Sequence, residues 1–404
     1  MNVLLLTSAL PYPATSGGAL RVLGLIRALH SLGHTVSLLT YGDPAAGWKS
    51  TPLGDLCSVV HICDPPRRTS AQRIRALLTG QADIAGRLAS DGYTTALRAM
   101  LKHGQFDVVQ AEGIEMAWAL RIVRDTAPSL KRVFDTFNAE FQLQRVIAGI
   151  DASEIRHWPM AAYSWVQSHR IASFERAVMA QSDLVIAVSQ EDANALKTLG
   201  AGRPICIVPS AIDPPDYADI TPAPNVLPNT IVFTGKMDYR PNVDAALWFA
   251  DDVLPAVRAR IPDAQFMIVG QQPHSRLDRL RTVDSVSITG FVPAVEPYLA
   301  AAAVYVAPLR MGSGTRLKLL EAMAAGCAIV STTIGAAGLT ENARKSMLIA
   351  DDADSFAQRV IDVLADPGRW AAIRQRAASV VRDSYSWQAI AAPLASAYRE
   401  AAVG

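Results

Sequence analysis

The hydrophobic pattern opens with Val3 to Thr7, a short apolar run suited to a buried parallel strand, followed by a loop holding Pro11, Pro13, Gly17 and Gly18. Leu20, Leu23, Ile26, Leu29 and Leu32 then recur at helical spacing, and Gly33 is a natural C-cap. Val36 to Thr40 supplies the next strand, so the first forty residues spell a βαβ unit with a right-handed crossover. Strands are expected again at 107–111, 132–136, 184–188 and 205–208, mostly separated by helical stretches. Such alternation argues for a parallel sheet covered on both faces.

The periodicity stops after Val208, where Pro209, Pro214, Pro215, Pro222, Pro224 and Pro228 crowd together. That is the expected domain boundary. Beyond it the alternation restarts, with strands at 230–234, 265–269, 286–289, 304–307 and 328–332, a helix over 243–260 and another from about Thr315. The stretch from Ser355 to Ala401 reads as successive amphipathic helices broken at Pro367-Gly368. The expectation is an α/β chain of two Rossmann-like domains with a cleft between them, 1–208 and 209–385, the final helix of about 386–404 packing back on the first.

At 404 residues the chain is twice the usual length of one domain, which agrees with this division. Lys and Arg total 38 against 37 Asp and Glu, so no global charge pulls it toward nucleic acid. Cys57, Cys63, Cys206 and Cys327 form no C-x-x-C pair and no H-E-x-x-H occurs, so neither a disulfide scaffold nor a zinc site is expected, and a reducing cytosol fits. The start, Met1-Asn2-Val3-Leu4-Leu5-Leu6, has no positive leader region and reads as a buried strand. No apolar run approaches the roughly 18 to 20 residues of a membrane span. One stretch is locally basic: Arg67, Arg68, Arg73, Arg75, Arg87, Arg98 and Lys102 stand against only Asp83 and Asp91. With Ile74, Leu77 and Leu78 beside it, it reads either as a solvated helix face or as peripheral contact with an anionic membrane.

Ligands of open α/β sheets bind beyond the carboxyl ends of the strands, so chemistry belongs in the loops that follow them. The Gly17-Gly18 pair opens a helix, where free N–H groups attract an anion; it serves equally as a plain turn. The stretch Arg310-Met311-Gly312-Ser313-Gly314-Thr315-Arg316-Leu317-Lys318 is more telling. It follows a strand, turns tightly on two glycines, and starts a helix with Arg316 and Lys318 in the first turn, against the helix dipole. A bound diphosphate would resolve that conflict. The order is not that of a P-loop, and no G-x-G-x-x-G is present here. Glu321, three residues after Lys318, is either its ion-pair partner or a carboxylate for a ribose diol. Lys236 and Arg240 follow the first strand of the second half and read as diphosphate ligands or as solvated surface. Glu112, Asp135, Asn138 and Glu140 follow strands of the first half and are candidates to orient sugar hydroxyls, or turn formers.

These residues resemble glycosyltransferase family 4, retaining enzymes of the GT-B fold that use nucleotide sugars. The likeness runs through nearly the whole chain. It is carried by Gly17-Gly18 leading to Gly33-His34-Thr35-Val36, by Val208-Pro209-Ser210-Ala211-Ile212-Asp213, by Phe233-Thr234-Gly235, and above all by Gly312-Ser313-Gly314-Thr315-Arg316-Leu317-Lys318 running into Glu321-Ala322-Met323-Ala324-Ala325-Gly326. The resemblance implies that Glu321 binds the donor ribose, and that Lys236 or Arg240 with the Gly314 to Lys318 turn binds the diphosphate. It implies that Gly17 and Gly18 approach the reacting sugar, and that Gly235, Gly270, Phe291 and Arg310 line the donor site. Glu112, Asn138 and Glu140 are the expected acceptor contacts, the acceptor being a glycan, a lipid-linked sugar or a small hydroxyl compound. No metal and no other cofactor are expected, nor any nucleic acid; the place is the cytoplasm, at or near the inner membrane face. The chain departs from the family at Ser313, where a second glutamate stands eight positions before Glu321, at Phe137, where many relatives have histidine, and at Ser210-Ala211 in place of Asn-Gly. Beside the transferase stand two other readings, a sugar-nucleotide epimerase and a silent nucleotide-sugar-binding partner.

Overall fold

A computed structural model describes residues 1–403 except 15, 67–79, 81, 153–157, 214–219, 225, 313 and 315. The chain forms two compact units, Met1–Ser210 with Ile390–Gly404, and Ala211–Ala389. The first is built on seven parallel strands in the order β3-β2-β1-β4-β5-β6-β7. They are β1 (Asn2–Thr7), β2 (Thr35–Tyr41), β3 (Cys57–Cys63), β4 (Val108–Glu112), β5 (Lys131–Thr136), β6 (Leu184–Ala187) and β7 (Ile205–Ile207). The second has six parallel strands in the order β10-β9-β8-β11-β12-β13. These are β8 (Thr230–Thr234), β9 (Gln265–Val269), β10 (Val286–Ile288), β11 (Val304–Ala307), β12 (Ile329–Ser331) and β13 (Leu348–Ile349).

The unbroken apolar runs have a direct cause. Leu4, Leu5 and Leu6 of β1 and Ile231, Val232 and Phe233 of β8 are all 0% exposed, because helices cover both faces of each sheet. The helices that frame the sites are α1 (Gly17–Ser31), α2 (Glu140–Ala152), α3 (Trp158–Gln181), α4 (Arg240–Trp248), α5 (Leu317–Ala324) and α6 (Trp387–Val403). α1 starts where the Ser16 hydroxyl accepts from the Ala19 N–H at 3.3 Å, and Gly33, at φ +76°, lets the chain turn back into β2.

Three local features differ from the pattern reading. The single helix expected over 243–260 is divided: α4 runs into a π-type turn at Phe249–Val253 before Leu254–Arg260 resumes the α-helix. Pro255 has no N–H to donate back, which explains the looser turn ahead of it. Strands β3 and β13, not anticipated, complete the sheet edges. The helix expected from about Thr315 begins at Leu317 with Arg316 as its N-cap.

Candidate functional site

In the second sheet the strand order reverses between β8 and β11. The loops leaving those two strands therefore flank the topological switch point, the place where an open sheet holds its ligand. Gly235 follows β8, and the run from Arg310 to Arg316 follows β11. The backbone there is too close for side chains. A Cβ on Gly270 would lie 1.7 Å from the Gly235 oxygen, and one on Gly235 would lie 2.7 Å from Asn242 Nδ2 and 2.8 Å from Lys318 Nζ.

Lys318 is the centre of this arrangement. Its Nζ donates to Asn242 Oδ1 at 2.7 Å and stands 4.5 Å from the centre of the Phe233 ring. Asn242 Nδ2 in turn donates to the Lys236 carbonyl at 2.9 Å, so one amide ties the loop after β8 to the lysine of α5. Burial, and after it the positive charge of Arg316, lowers the Lys318 pKa from its ordinary 10.5 to about 7, while Glu321 pulls the other way. The Arg316 guanidinium packs beside Gly312, within 2.5 Å of where a Cβ would be. Glu321, one turn along α5, is half-buried. Asn242 was not singled out from the sequence; its only signal there is its position just behind the Arg240-Pro241 start of α4.

The remaining donor-side candidates are placed as follows. Lys236 Nζ pairs with Asp238 at 3.1 Å, both side chains nearly half exposed. Arg240 is the first residue of α4. Arg310 makes two bonds to Asp244, of 3.0 and 2.7 Å, and lies 5.9 Å from the centre of the Trp248 ring, which holds it against α4. Phe291 is 66% exposed and follows Gly290, which bridges to Gly270. Gly314 has φ +78°. Ser313 and Thr315 lie outside the described residues.

The first sheet reverses its order between β1 and β4. Gly18 opens α1 after the β1 loop, Gly113 follows β4, and the Phe137 ring after β5 lies against both, 3.4 and 3.3 Å from where their Cβ atoms would be. Asn138 Nδ2 donates to Glu140 Oε1 at 3.0 Å. Burial raises the Glu140 pKa, and it raises that of Glu175 to about 8 although Glu175 accepts from the N–H groups of Glu140 and Phe141.

Beneath them lies a buried polar cluster. Arg21, 1% exposed, donates through Nε and Nη2 to Asp135 at 3.1 and 2.8 Å and through Nη1 to Ser210 at 3.2 Å. Gln110 Nε2 donates to Glu112 Oε1 at 2.7 Å, and Tyr398 Oη of α6 donates to Gln110 Oε1 at 2.5 Å. Glu112 is 1% exposed. Burial first, then the charge of Asp135, pushes its carboxyl well above the ordinary range, while Arg21 and the Gln110 amide pull the other way. The structure thus sets Glu112 in this buried cluster, whereas Asn138 lies just before α2 and Glu140 is the first residue of that helix.

Of the basic stretch, Arg67, Arg68, Arg73 and Arg75 lie outside the described residues; Arg98 and Lys102 are exposed, and Arg87 pairs with Glu115. Among the described residues no three His, Cys, Asp or Glu side chains gather as a metal site would require, and no helix is long and apolar enough to cross a membrane.

Residues 16–211 match the family model described as a glycosyl transferase 4-like domain, and residues 228–366 match that of glycosyl transferases group 1. A phosphatidyl-myo-inositol mannosyltransferase of Mycolicibacterium smegmatis is 31% identical over 181 residues, 42% of this chain and 46% of its own length. Among solved structures, a sucrose-phosphate synthase from Thermosynechococcus elongatus superimposes with a TM-score of 0.73 at 18% identity, covering 99% of both chains. HepE of Anabaena, solved in complex with UDP, gives 0.65 at 15% identity over 99% of this chain and 100% of its own. At such identities the likeness is one of fold, and that fold is GT-B.

Proposed function

Since the chain belongs to the group 1 glycosyltransferases, we propose that it moves a sugar from a UDP- or GDP-linked donor to a hydroxyl acceptor with retention at the anomeric carbon and without a metal ion. The product would be a polysaccharide, a glycolipid or another glycoconjugate, made at the cytoplasmic face of the inner membrane. One observation carries the reading: the half-buried Lys318, its pKa lowered to about 7 by desolvation, is clamped by Asn242 beside Arg316 at the switch point of the second sheet. A desolvated cation is costly unless an anion meets it. A nucleoside diphosphate supplies that anion, and HepE, of the same fold, binds UDP.

In this reading Glu321 takes the ribose diol. Lys318 and Arg316, with Lys236 or Arg240 and the free N–H groups at the start of α5, stabilise the charge that develops on the departing diphosphate; this is the main catalytic contribution. The acceptor hydroxyl attacks from the face the diphosphate leaves, and the departing phosphate takes its proton, so no strong side-chain base is needed. The cationic side chains supply the charge a divalent ion supplies elsewhere.

Calorimetric titration of UDP and GDP in EDTA tests this. Micromolar binding of one nucleotide is expected, weakened about tenfold or more, roughly 1.4 kcal/mol, by Glu321→Ala. Absence of binding by both nucleotides would remove the donor site and with it the transferase reading. A second reading, a binding subunit without turnover, rests on Phe137 filling the space against Gly18 and Gly113. Nucleotide-sugar binding with neither transfer nor donor hydrolysis would select it.

A further inference from the structure

The amide that clamps Lys318 answers two unlike groups at once. Asn242, 5% exposed, is the third residue of α4, and its backbone N–H is taken by the Tyr239 carbonyl at 2.9 Å. An ammonium only donates and a carbonyl only accepts, which fixes the side chain one way round. Oδ1 faces Lys318 Nζ at 2.7 Å and Nδ2 faces the Lys236 oxygen at 2.9 Å. Aspartate has no donor for that carbonyl, and an apolar residue has no acceptor for the lysine. Gly235 completes the fit, because a Cβ there would fall 2.7 Å from Nδ2 and 2.8 Å from Nζ.

What the amide withholds matters as much as what it supplies: it anchors the amine without neutralising its charge. Burial is the largest influence on the Lys318 proton; Arg316 adds to it and Glu321 opposes it. The carboxylates that neighbouring segments bring near are engaged with other cations, Asp238 with Lys236 at 3.1 Å and Asp244 with Arg310 at 2.7 Å. Arg240, at the start of α4, adds no negative charge. Tyr305 of β11 bonds through its phenol to Thr234 at 2.9 Å, and burial raises its pKa, so it stays neutral.

We propose that Asn242 is a positioning residue of the donor site: it holds the Lys318 amine at the switch point without pairing its charge, so that the diphosphate of the nucleotide completes the ion pair. The inference rests on the donor-site reading of this unit and adds to it a residue that acts through another. The proton that Lys318 takes up when the nucleotide binds returns to solvent when the nucleotide leaves.

Calorimetric titration of UDP and GDP into wild type, Asn242→Asp and Asn242→Ala, at pH 8 in buffers of different ionisation enthalpy, tests it. In Asn242→Asp the new carboxylate pairs with Lys318, so the lysine's share of proton uptake is lost and the nucleotide Kd rises about tenfold. Asn242→Ala leaves the lysine unanchored and still unpaired, so Kd rises about threefold with the uptake kept. The nucleotide's own phosphate titration is common to all the proteins and cancels. Added to Lys318→Met, Asn242→Ala should cost nothing further, since Asn242 acts through that lysine. Unchanged uptake in Asn242→Asp, or equal weakening by Asn242→Ala with and without Lys318, would overturn the inference and leave the donor site in place. A wild type that binds neither nucleotide would remove both. The alanine cycle decides the matter even if the aspartate variant does not fold.

Discussion

The two sheets reverse their strand order at corresponding places, β1 against β4 and β8 against β11, and surround those places with opposite electrostatics. In the first unit the charges close on themselves. Arg21 is answered by Asp135 through two hydrogen bonds, and burial beside them favours the neutral form of Glu112. In the second, Lys318 has a neutral amide and an aromatic ring as its close neighbours, with Glu321 only moderating a pKa that burial and Arg316 have lowered to about 7. A cluster that satisfies itself holds a shape. A cation that protein groups leave half-compensated is a seat for an anion, and this separates the role of stability from the role of binding.

Exchanging the two perturbations gives the widest separation. Arg21→Leu leaves Asp135, 0% exposed, without its cation, and removal of one partner of a buried pair costs about 3–5 kcal/mol. A urea midpoint should fall accordingly, while the folded fraction binds nucleotide as before. A loss below about 1 kcal/mol would mean that the cluster is not closed as described. Lys318→Met should do the reverse: the nucleotide Kd rises about tenfold or more, with stability unchanged or improved, because a partly desolvated ammonium without a close carboxylate is gone.

The same lysine predicts a pH dependence with a definite sign. Its folded pKa lies below the ordinary 10.5, so above about pH 7 the free protein has largely lost the proton that a bound diphosphate favours. Binding then takes up as much as one proton, and affinity falls as pH rises through this range. Titration in buffers of different ionisation enthalpy reads that uptake. Lys318→Met should abolish the lysine's share; an unchanged uptake would place the titrating group elsewhere.

How much of this the sequence exposes depends on how local each feature is. The strands of both sheets are legible because burial on both faces leaves unbroken apolar runs such as Val3 to Thr7 and Thr230 to Thr234. β3 escapes notice because it is an edge strand whose Val59 is 49% exposed, and β13 because it has only two residues. The divided helix at Phe249–Val253 was signalled by Pro255, which the apolar spacing masks. Gly312 to Lys318 is legible as chemistry since its glycines and cations are contiguous. The Asn242–Lys318 clamp joins residues 76 apart, one of them neutral, and Tyr398 reaches Gln110 across 288 residues. The aromatic spacing of α3 looks in sequence like a core face, and only solvent exposure shows that it points outward.

The smallest expected effect probes the closed cluster from its neutral member. Glu112 has a folded pKa well above the ordinary 4.5, so it keeps its proton where the unfolded chain has lost its own. The stability this group contributes is full below about pH 4.5 and is lost as pH rises through the folded value. Glu112→Gln preserves the acceptor for Gln110 Nε2 and puts an amide in place of the protonated oxygen, so near pH 4.5 it should alter stability by less than about 1 kcal/mol. Toward pH 8 the wild type should lose ground against the variant, since only the wild type must hold a proton that solvent would take. Urea midpoints of the two proteins, compared from pH 4.5 to 8, should therefore diverge in favour of the glutamine. Parallel midpoints would mean that Glu112 ionises normally inside the fold, and that Arg21 is shared between two carboxylates rather than spent on Asp135 alone.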